Sequence, residues 1–324
     1  MQNYRRSALT IMALVLAVPV MATAQTWPTK PIRLVVSQPP GGTMDIVSRQ
    51  VAERLGEALG QAIVVENKPG ANGIIATQFV ARAAADGYTL MMGTGATHTI
   101  NPYLYPEVGY DPVKDFTPIA NLVSAPNVIS VQAQVPAASL KELIALAKAK
   151  PGLLNYASPG VGGTGQLTME LLKSSAGISI THIPYPGIAA SIQDTIAGRT
   201  QIVALPPAAL LAHFKSGSLR PLAVTSLHRT TVLPDVPTVA ESGFSGFEGV
   251  AWFGIMAPAN VPPLVVRTLQ ESLQKVMAAQ AVRERFAAQG LDVTYLEGAA
   301  FSVYLQKDAD RWKQVIKASG AKVE

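Results

Sequence analysis

The stretch "NYASPGVGGTGQLTMELL" (Asn155 to Leu172) decides how the rest of the chain is read. Gly160, Gly162 and Gly165 stand at G-x-G-x-x-G spacing, after a short apolar run and before a helical pattern. That is the spacing of a dinucleotide-binding loop. More generally it is a strand, a glycine loop and a helix, whose first N–H groups lack intrahelical partners and whose dipole adds partial positive charge. Glycines let an anion approach that backbone closely. The same device stands near the start of the chain, where "IRLVVSQPPGGTMDIVSRQ" (Ile32 to Gln50) again runs strand, Pro, Gly-Gly-Thr, helix. A third candidate, "GTGATH" (Gly93 to His98), also follows a strand.

The dinucleotide alternative makes a demand that can be checked. An acidic residue should close the next strand, some twenty residues on, to hold the ribose hydroxyl. That strand is "ISITHIPY", which ends in Pro184 and Tyr185 with no Asp or Glu. No cofactor is therefore expected, and the doubled Gly-Gly-Thr points to a shared small anion. Open α/β sheets take ligands at the carboxyl ends of their strands, where all three loops lie.

Working outward, short β-branched runs ("PIRLVVS", "AIVVEN", "YTLMMG", "LLNYAS", "TQIVAL", "RPLAVTS") alternate with helical patterns. This predicts an α/β fold with parallel-rich sheets flanked by helices. "DIVSRQVAERLGEALG" reads as a helix with Ile46, Val47, Val51 and Leu55 on one face, Asp45 as N-cap and Gly60 as terminator. Ser139 and Glu142 make a capping box for "SLKELIALAKAKPG". The chain closes with the helical patterns "PPLVVRTLQESLQKVMAAQAVRERFAAQG" and "GAAFSVYLQKDADRWKQVIKASG".

Composition narrows the class. Arg5 and Arg6, an apolar run from Ala8 to Met21 and Ala22-Thr23-Ala24 make a secretory signal, so cleavage after Ala24 and export to the periplasm are expected. The chain has 26 basic and 21 acidic residues, a net charge of +5; without Arg5 and Arg6 it is +3. The cations are scattered, with no tract of the nucleic-acid kind. There is no cysteine, hence neither thiol catalysis nor a thiolate metal site. His98, His182, His213 and His228 show no metal-ligand spacing, and no G-x-S-x-G elbow occurs. His98 sits in a glycine-rich loop where it could meet a ligand, whereas His182, within an apolar strand, reads as a satisfied interior histidine.

With the loops in place, "KPIRLVVSQPPGGTMDIVSRQVAERLGEALGQAIVVENKPGANG" closely resembles the opening of the Bug proteins, the periplasmic solute-binding receptors of tripartite tricarboxylate transporters. The resemblance continues through "DGYTLMMGTGATHTINPYLY", "YDPVKDFTPIA", "PGLLNYASPG", "HIPYPG", "LRPLAVTS", "LPDVPTVAESGF" and "WFGIMAPANVP". It implies a two-lobed, clamshell binding protein of the type II periplasmic kind with a two-crossing hinge. Residues 25–125 and 231–324 would form one lobe and 126–230 the other, with crossings near Ser124–Val128 and Thr225–Pro234. Closure would bring two helix N-termini onto one carboxylate, held by N–H groups, hydroxyls and waters. Carried over residue by residue, the contacts would be Gly41, Gly42, Thr43, Asp45, Thr94 and Gly95 in the first lobe. In the second they would be Ser158, Gly160, Gly162, Thr164, Tyr185 and Ala189.

Two departures bear on the ligand. Gln38 stands where many members have an aromatic residue, and Ala204-Leu205-Pro206 where many read Phe-Asp-Asn. Losing that acid leaves Leu205 in an apolar wall and favours a less polar or aromatic carboxylate over an amino acid; a rearranged loop is the alternative. The expectation is a monomeric, non-enzymatic receptor that serves the membrane subunits of a transporter. The alternatives are an exported enzyme using Asp45 and His98, or an orphan receptor that signals to a sensor protein.

Overall fold

Residues 27–319 are described by the structure, a computed structural model; the expected signal, 1–24, lies outside the described residues. The apolar strand β1 (Ile32–Val36) leads through Gly41 and Gly42 into α1 (Thr43–Leu59), then β2 (Ile63–Asn67), α2 (Ile74–Ala81) and β3 (Thr89–Thr94). Helix α1 buries Met44, Val47, Val51 and Leu55, and Gly60 ends it in the left-handed region (φ 67), its N–H donating to Gly56 O. Ile46, expected on that face, is 41% exposed. It stands about 100° round the helix from Val47, outside the buried stripe.

A short turn and α3 (Asn101–Leu104) connect to β4 (Phe116–Pro126). The second sheet is built next, from β5 (Val128–Gln132), α4 (Leu140–Ala149), β6 (Asn155–Ser158), α5 (Thr164–Ala176) and β7 (Thr181–Pro184). It is completed by α6 (Ile188–Ile196), β8 (Ile202–Leu205), α7 (Pro207–Lys215) and β9 (Leu219–Val224). Half of the expected capping box forms on α4: Ser139 Oγ accepts Glu142 N–H, while Glu142 Oε2 accepts the N–H of Ala138, one residue before the N-cap. The chain then returns to the first sheet with β10 (Val250–Pro258), α8 (Pro263–Ala278), α9 (Gln280–Ala287), β11 (Asp292–Glu297) and α10 (Gly298–Ser319).

The first sheet has the order β11-β4-β10-β3-β1-β2 and the second β7-β6-β8-β5-β9. Each is mixed. Strands of the β-loop-α units pair in parallel (β1 with β2 and β3, β6 with β7 and β8), while β4, β10 and β11, and β5 with β8 and β9, pair antiparallel. Strands β4 and β11 are absent from the sequence reading. "FTPIANLVSAP" looks like a loop because of its prolines and polar residues, yet a register shift between Ile255 and Met256 accommodates Pro118.

Each sheet has its own core, one around Leu34, Leu55, Leu122, Ile255 and Leu269, the other around Ile129, Leu143, Tyr156, Leu172 and Ala223. These are the two lobes. The sequence reading gave residues 231–249 to the first lobe, but Val239 and Phe247 are buried in the second core and Val236 packs with Val128 and Val224. Apolar burial holds this excursion on the second sheet before the chain turns back at Gly249. There the crossings are tied together. Asn127 N–H donates to Thr225 Oγ1 (2.8 Å), Thr225 N–H to Asn127 O (3.0 Å), and Gly249 N–H to Thr225 O (2.9 Å).

Helix α10 is a second link between the lobes. Trp312, Val315 and Ile316 join Ile100 and Leu104 of the first lobe and Leu167 of α5 in one buried cluster. Inside it, Asp308 accepts from Thr99 Oγ1 (2.6 Å) and Trp252 Nε1 (2.9 Å), and Arg311 pairs with Glu248 (3.1 Å).

Candidate ligand-binding site

The two Gly-Gly-Thr loops fold alike at their glycines. Gly41 (φ 87) and Gly162 (φ 82) precede N-cap glycines Gly42 (φ −79, ψ 169) and Gly163 (φ −76, ψ 155). Positive φ is what glycine supplies without steric cost. Thr43 and Thr164 are the first helical residues. The third helical residue then reaches back: Asp45 Oδ2 accepts Gly41 N–H at 3.0 Å, and Gln166 Oε1 accepts Gly162 N–H at 2.7 Å. A bond from the third helical residue back to the glycine before the N-cap thus fixes each loop, and the next helix N–H groups are left without intrahelical partners. Asp45 is therefore the third residue of α1, not its N-cap.

Both helix N-termini face one cleft of about 410 Å³ between the lobes. Of the residues expected at the ligand, Gly42, Thr43, Thr94, Gly95, Gly160, Gly162, Thr164 and Leu205 line it, and so does Gln38. No lining residue carries a charged side chain. An anion here would meet amide N–H groups, hydroxyls and helix dipoles. Leu205, Ile188, Val161 and Phe253 supply an apolar part of the wall. The lobes touch at this site, since a Cβ on Gly162 would come within 2.6 Å of Leu104 Cδ2. The third glycine of the quoted stretch, Gly165, lets α5 lie against β8: a Cβ there would meet Ala204 O at 2.4 Å.

Other expected residues stand outside the lining. The Asp45 carboxylate is buried and turned to Gly41, Arg49 (3.0 Å) and Asn67 Nδ2 (2.9 Å). The Arg49 hydrogen bond, joined by those from Gly41 and Asn67, outweighs burial and lowers its pKa to about 2. Gly41 spends its N–H on Asp45. Ser158 Oγ bonds His182 Nε2 and Gly160 O, both at 2.6 Å, and so braces the loop from behind. Tyr185 donates its N–H to Ser158 O, and burial followed by neighbouring Asp194 raises its phenol pKa. Ala189 is the exposed second residue of α6, whose first residue, Ile188, is the one in the lining.

His98 is also turned away. It is fully buried, with Nδ1 2.8 Å from Thr97 Oγ1 and its ring edge-on to Phe116 (4.8 Å), and burial lowers its pKa to about 3. His182 stacks on Tyr156 at 4.8 Å and is held by Ser158, so it is satisfied as expected, but it stands half-buried on the edge strand β7 rather than in the interior. Among the described residues no group of three His, Asp or Glu is placed to hold a metal ion. A wider hollow of about 590 Å³, beside β11 and lined by Asn121, Tyr295 and Tyr304, contains none of the glycine loops.

The sequence reading missed Asn72, Asn127, Ala251 and Phe253 in the lining. Asn72 adopts φ 50, which the Asn-Gly pair of "KPGANG" signals. Ala251 and Phe253 belong to an apolar strand that reads only as core.

Comparison with known proteins bears on what the cleft is for. Residues 47–321 match the family model of the tripartite tricarboxylate transporter family receptor. Protein BugT of Bordetella pertussis is 35% identical over 312 residues, covering 95% of this chain and 94% of BugT. The solved structure of R. palustris Rpa4515 with adipate is 35% identical with a TM-score of 0.78, covering 91% of this chain and 98% of that one. The periplasmic binding protein BugD is 33% identical with a TM-score of 0.74, covering 92% of this chain and all of that one. A two-lobed fold, twin helix N-termini on an uncharged cleft and a match of this extent agree: the chain belongs to the tripartite tricarboxylate transporter receptors, the Bug family of solute-binding proteins.

Proposed function

We propose that this receptor is exported to the periplasm, works as a monomer and closes on a small carboxylate for the membrane subunits of a tripartite transporter. The observation that carries the ligand class is the pair of Gly-Gly-Thr helix N-termini facing one cleft with no charged side chain in its lining. The relative solved with adipate supports the same class. Gly42, Thr43, Thr94, Gly95, Gly160 and Thr164 hold the anionic end, while Gly162, whose N–H is taken by Gln166, shapes the loop, and Leu205 with its apolar neighbours receives the rest of the molecule. This arrangement favours a less polar dicarboxylate or an aromatic carboxylate over an acidic amino acid, because no side-chain anion lines the wall to meet an ammonium group. In this reading lobe two runs from Asn127 to Gly249 with the hinge at its two ends, which the hydrogen bonds between the crossings support.

A thermal-shift screen of residues 25–324 tests this reading, with aliphatic mono-, di- and tricarboxylates, aromatic carboxylates, acidic amino acids and NAD. A ligand at about 100 times its dissociation constant adds roughly 2.7 kcal/mol and raises Tm clearly. The expected hit is a carboxylate without an amino group. A shift with NAD alone, or with none of the carboxylates, overturns the proposal.

A further inference from the structure

Asn127 is the single residue between β4 and β5, at the point where the chain first passes from one lobe to the other. Its backbone is tied on both sides to Thr225, the residue at which the second crossing begins. The residue is among those that line the cleft. The residue is only 2% exposed, yet Nδ2 has no hydrogen-bond partner. A buried amide donor left unpaired is costly, and such groups in folded proteins nearly always have an acceptor. Asn72, the other asparagine of the lining, differs: its Nδ2 donates to Asn101 Oδ1 at 2.9 Å.

We infer that Asn127 donates its side-chain N–H to a carboxylate oxygen of the bound solute, which makes it the contact that ties occupancy of the cleft to the hinge. The inference rests on the carboxylate reading proposed above. It adds a side-chain donor to the two backbone N-termini, one that belongs to neither Gly-Gly-Thr loop. A solute held by both loops and by Asn127 touches each lobe and the joint between them. An acceptor at Asn127 becomes a requirement for tight binding, which the two loops alone do not impose.

The test uses residues 25–324 with adipate and with the strongest carboxylate hit of the panel as probes, in titration calorimetry. Asn127→Leu removes the donor at similar volume and Asn127→Asp replaces it with an acceptor. A hydrogen bond to a charged group is worth enough that the leucine variant should bind about 10- to 100-fold more weakly, and the aspartate variant at least as weakly. Ligand-free Asn127→Leu should melt no lower than wild type, because it loses a buried donor that has no protein partner. Weaker binding with undiminished ligand-free stability is a signature that a purely structural asparagine does not give. If both variants bind the probes within about twofold of wild type, the inference is wrong while the receptor reading stands. If Asn127→Leu does not fold, Asn127→Asp decides alone by the same criterion. If wild type itself binds no carboxylate, the receptor reading fails and takes this inference with it.

Discussion

Replacing Gly162 with alanine separates two costs that one added carbon would bring. The first is local: Gly162 has φ 82, and a side chain in the left-handed region costs about 1–2 kcal/mol. That cost is present whether the lobes are together or apart. The second arises only when they meet, since the new Cβ would lie 2.6 Å from Leu104 Cδ2 across the cleft. The leucine tip must then shift, and overpacking of this kind costs about 1–3 kcal/mol. Leu104 belongs to the first lobe and Gly162 to the second, so this part falls on the closed state alone. A penalty of about 1.4 kcal/mol on the state that binds weakens affinity about tenfold. Gly41→Ala is the control, since its φ of 87 brings the same strain, it lies outside the cleft lining and nothing stands within 4 Å of a Cβ. Calorimetry with the strongest carboxylate hit should therefore rank Gly162→Ala weaker than Gly41→Ala, and Leu104→Val added to Gly162→Ala should restore part of the loss. Equal affinities for the two alanine variants, or no restoration by Leu104→Val, would refute the reasoning.

Four further outcomes follow from the packing and the charges. Trp312→Ala should cost about 3–5 kcal/mol in urea unfolding, because this 1% exposed side chain fills the cluster between α10, α5 and α3. The Asp45 pKa falls from 3.8 to about 2 on folding, so its contribution to stability is complete above pH 3.8 and disappears as pH drops towards 2. Asp45→Asn should remove that part of the acid limb in a pH series of melting temperatures. For His98 the folded pKa is depressed from 6.5 to about 3, so stability falls as pH drops below 6.5 while the unfolded chain takes up the proton. Carboxylate affinity, by contrast, should stay flat from pH 5.5 to 8, since neither His98 nor His182 lines the cleft; a titration of affinity near pH 6.5 would contradict the geometry.

What was legible in the sequence is what repeats locally. The Gly-Gly-Thr loops, the Ser139 N-cap and the αL terminator Gly60 each depend on a few neighbouring residues, and each appears as expected. The orientation of Asp45 was misjudged, although Arg49 stands four residues on, the helical spacing of an ion pair. Its third partner, Asn67, arrives from another strand and leaves no local trace. Strand β11, only partly buried and paired to β4 across a shifted register, lacks the alternation that identifies a half-buried strand. Asn127 is one polar letter between two apolar runs, and only the pairing of both crossings through Thr225 reveals its place at the joint beside the cleft. The excursion 231–249 escaped because loops rich in Pro and Gly carry no periodicity, while its allegiance is set by a few distant apolar contacts such as Val239 and Phe247.

Helix α5 is gripped near one end of its length rather than at its base. Leu167 is clasped by the Trp312 cluster, and Thr168 Oγ1 donates to Gly249 O at 3.1 Å. From there to Thr164, at the cleft, is four residues or about 6 Å of helix, and from there to Ala176 eight residues or about 12 Å. Met169, Leu172 and Ala176 seat that longer part in the core of the second lobe, so a solute that touches Thr164 touches the end of a rod already fixed along its length to that lobe and, through Leu167, to the seam with α10.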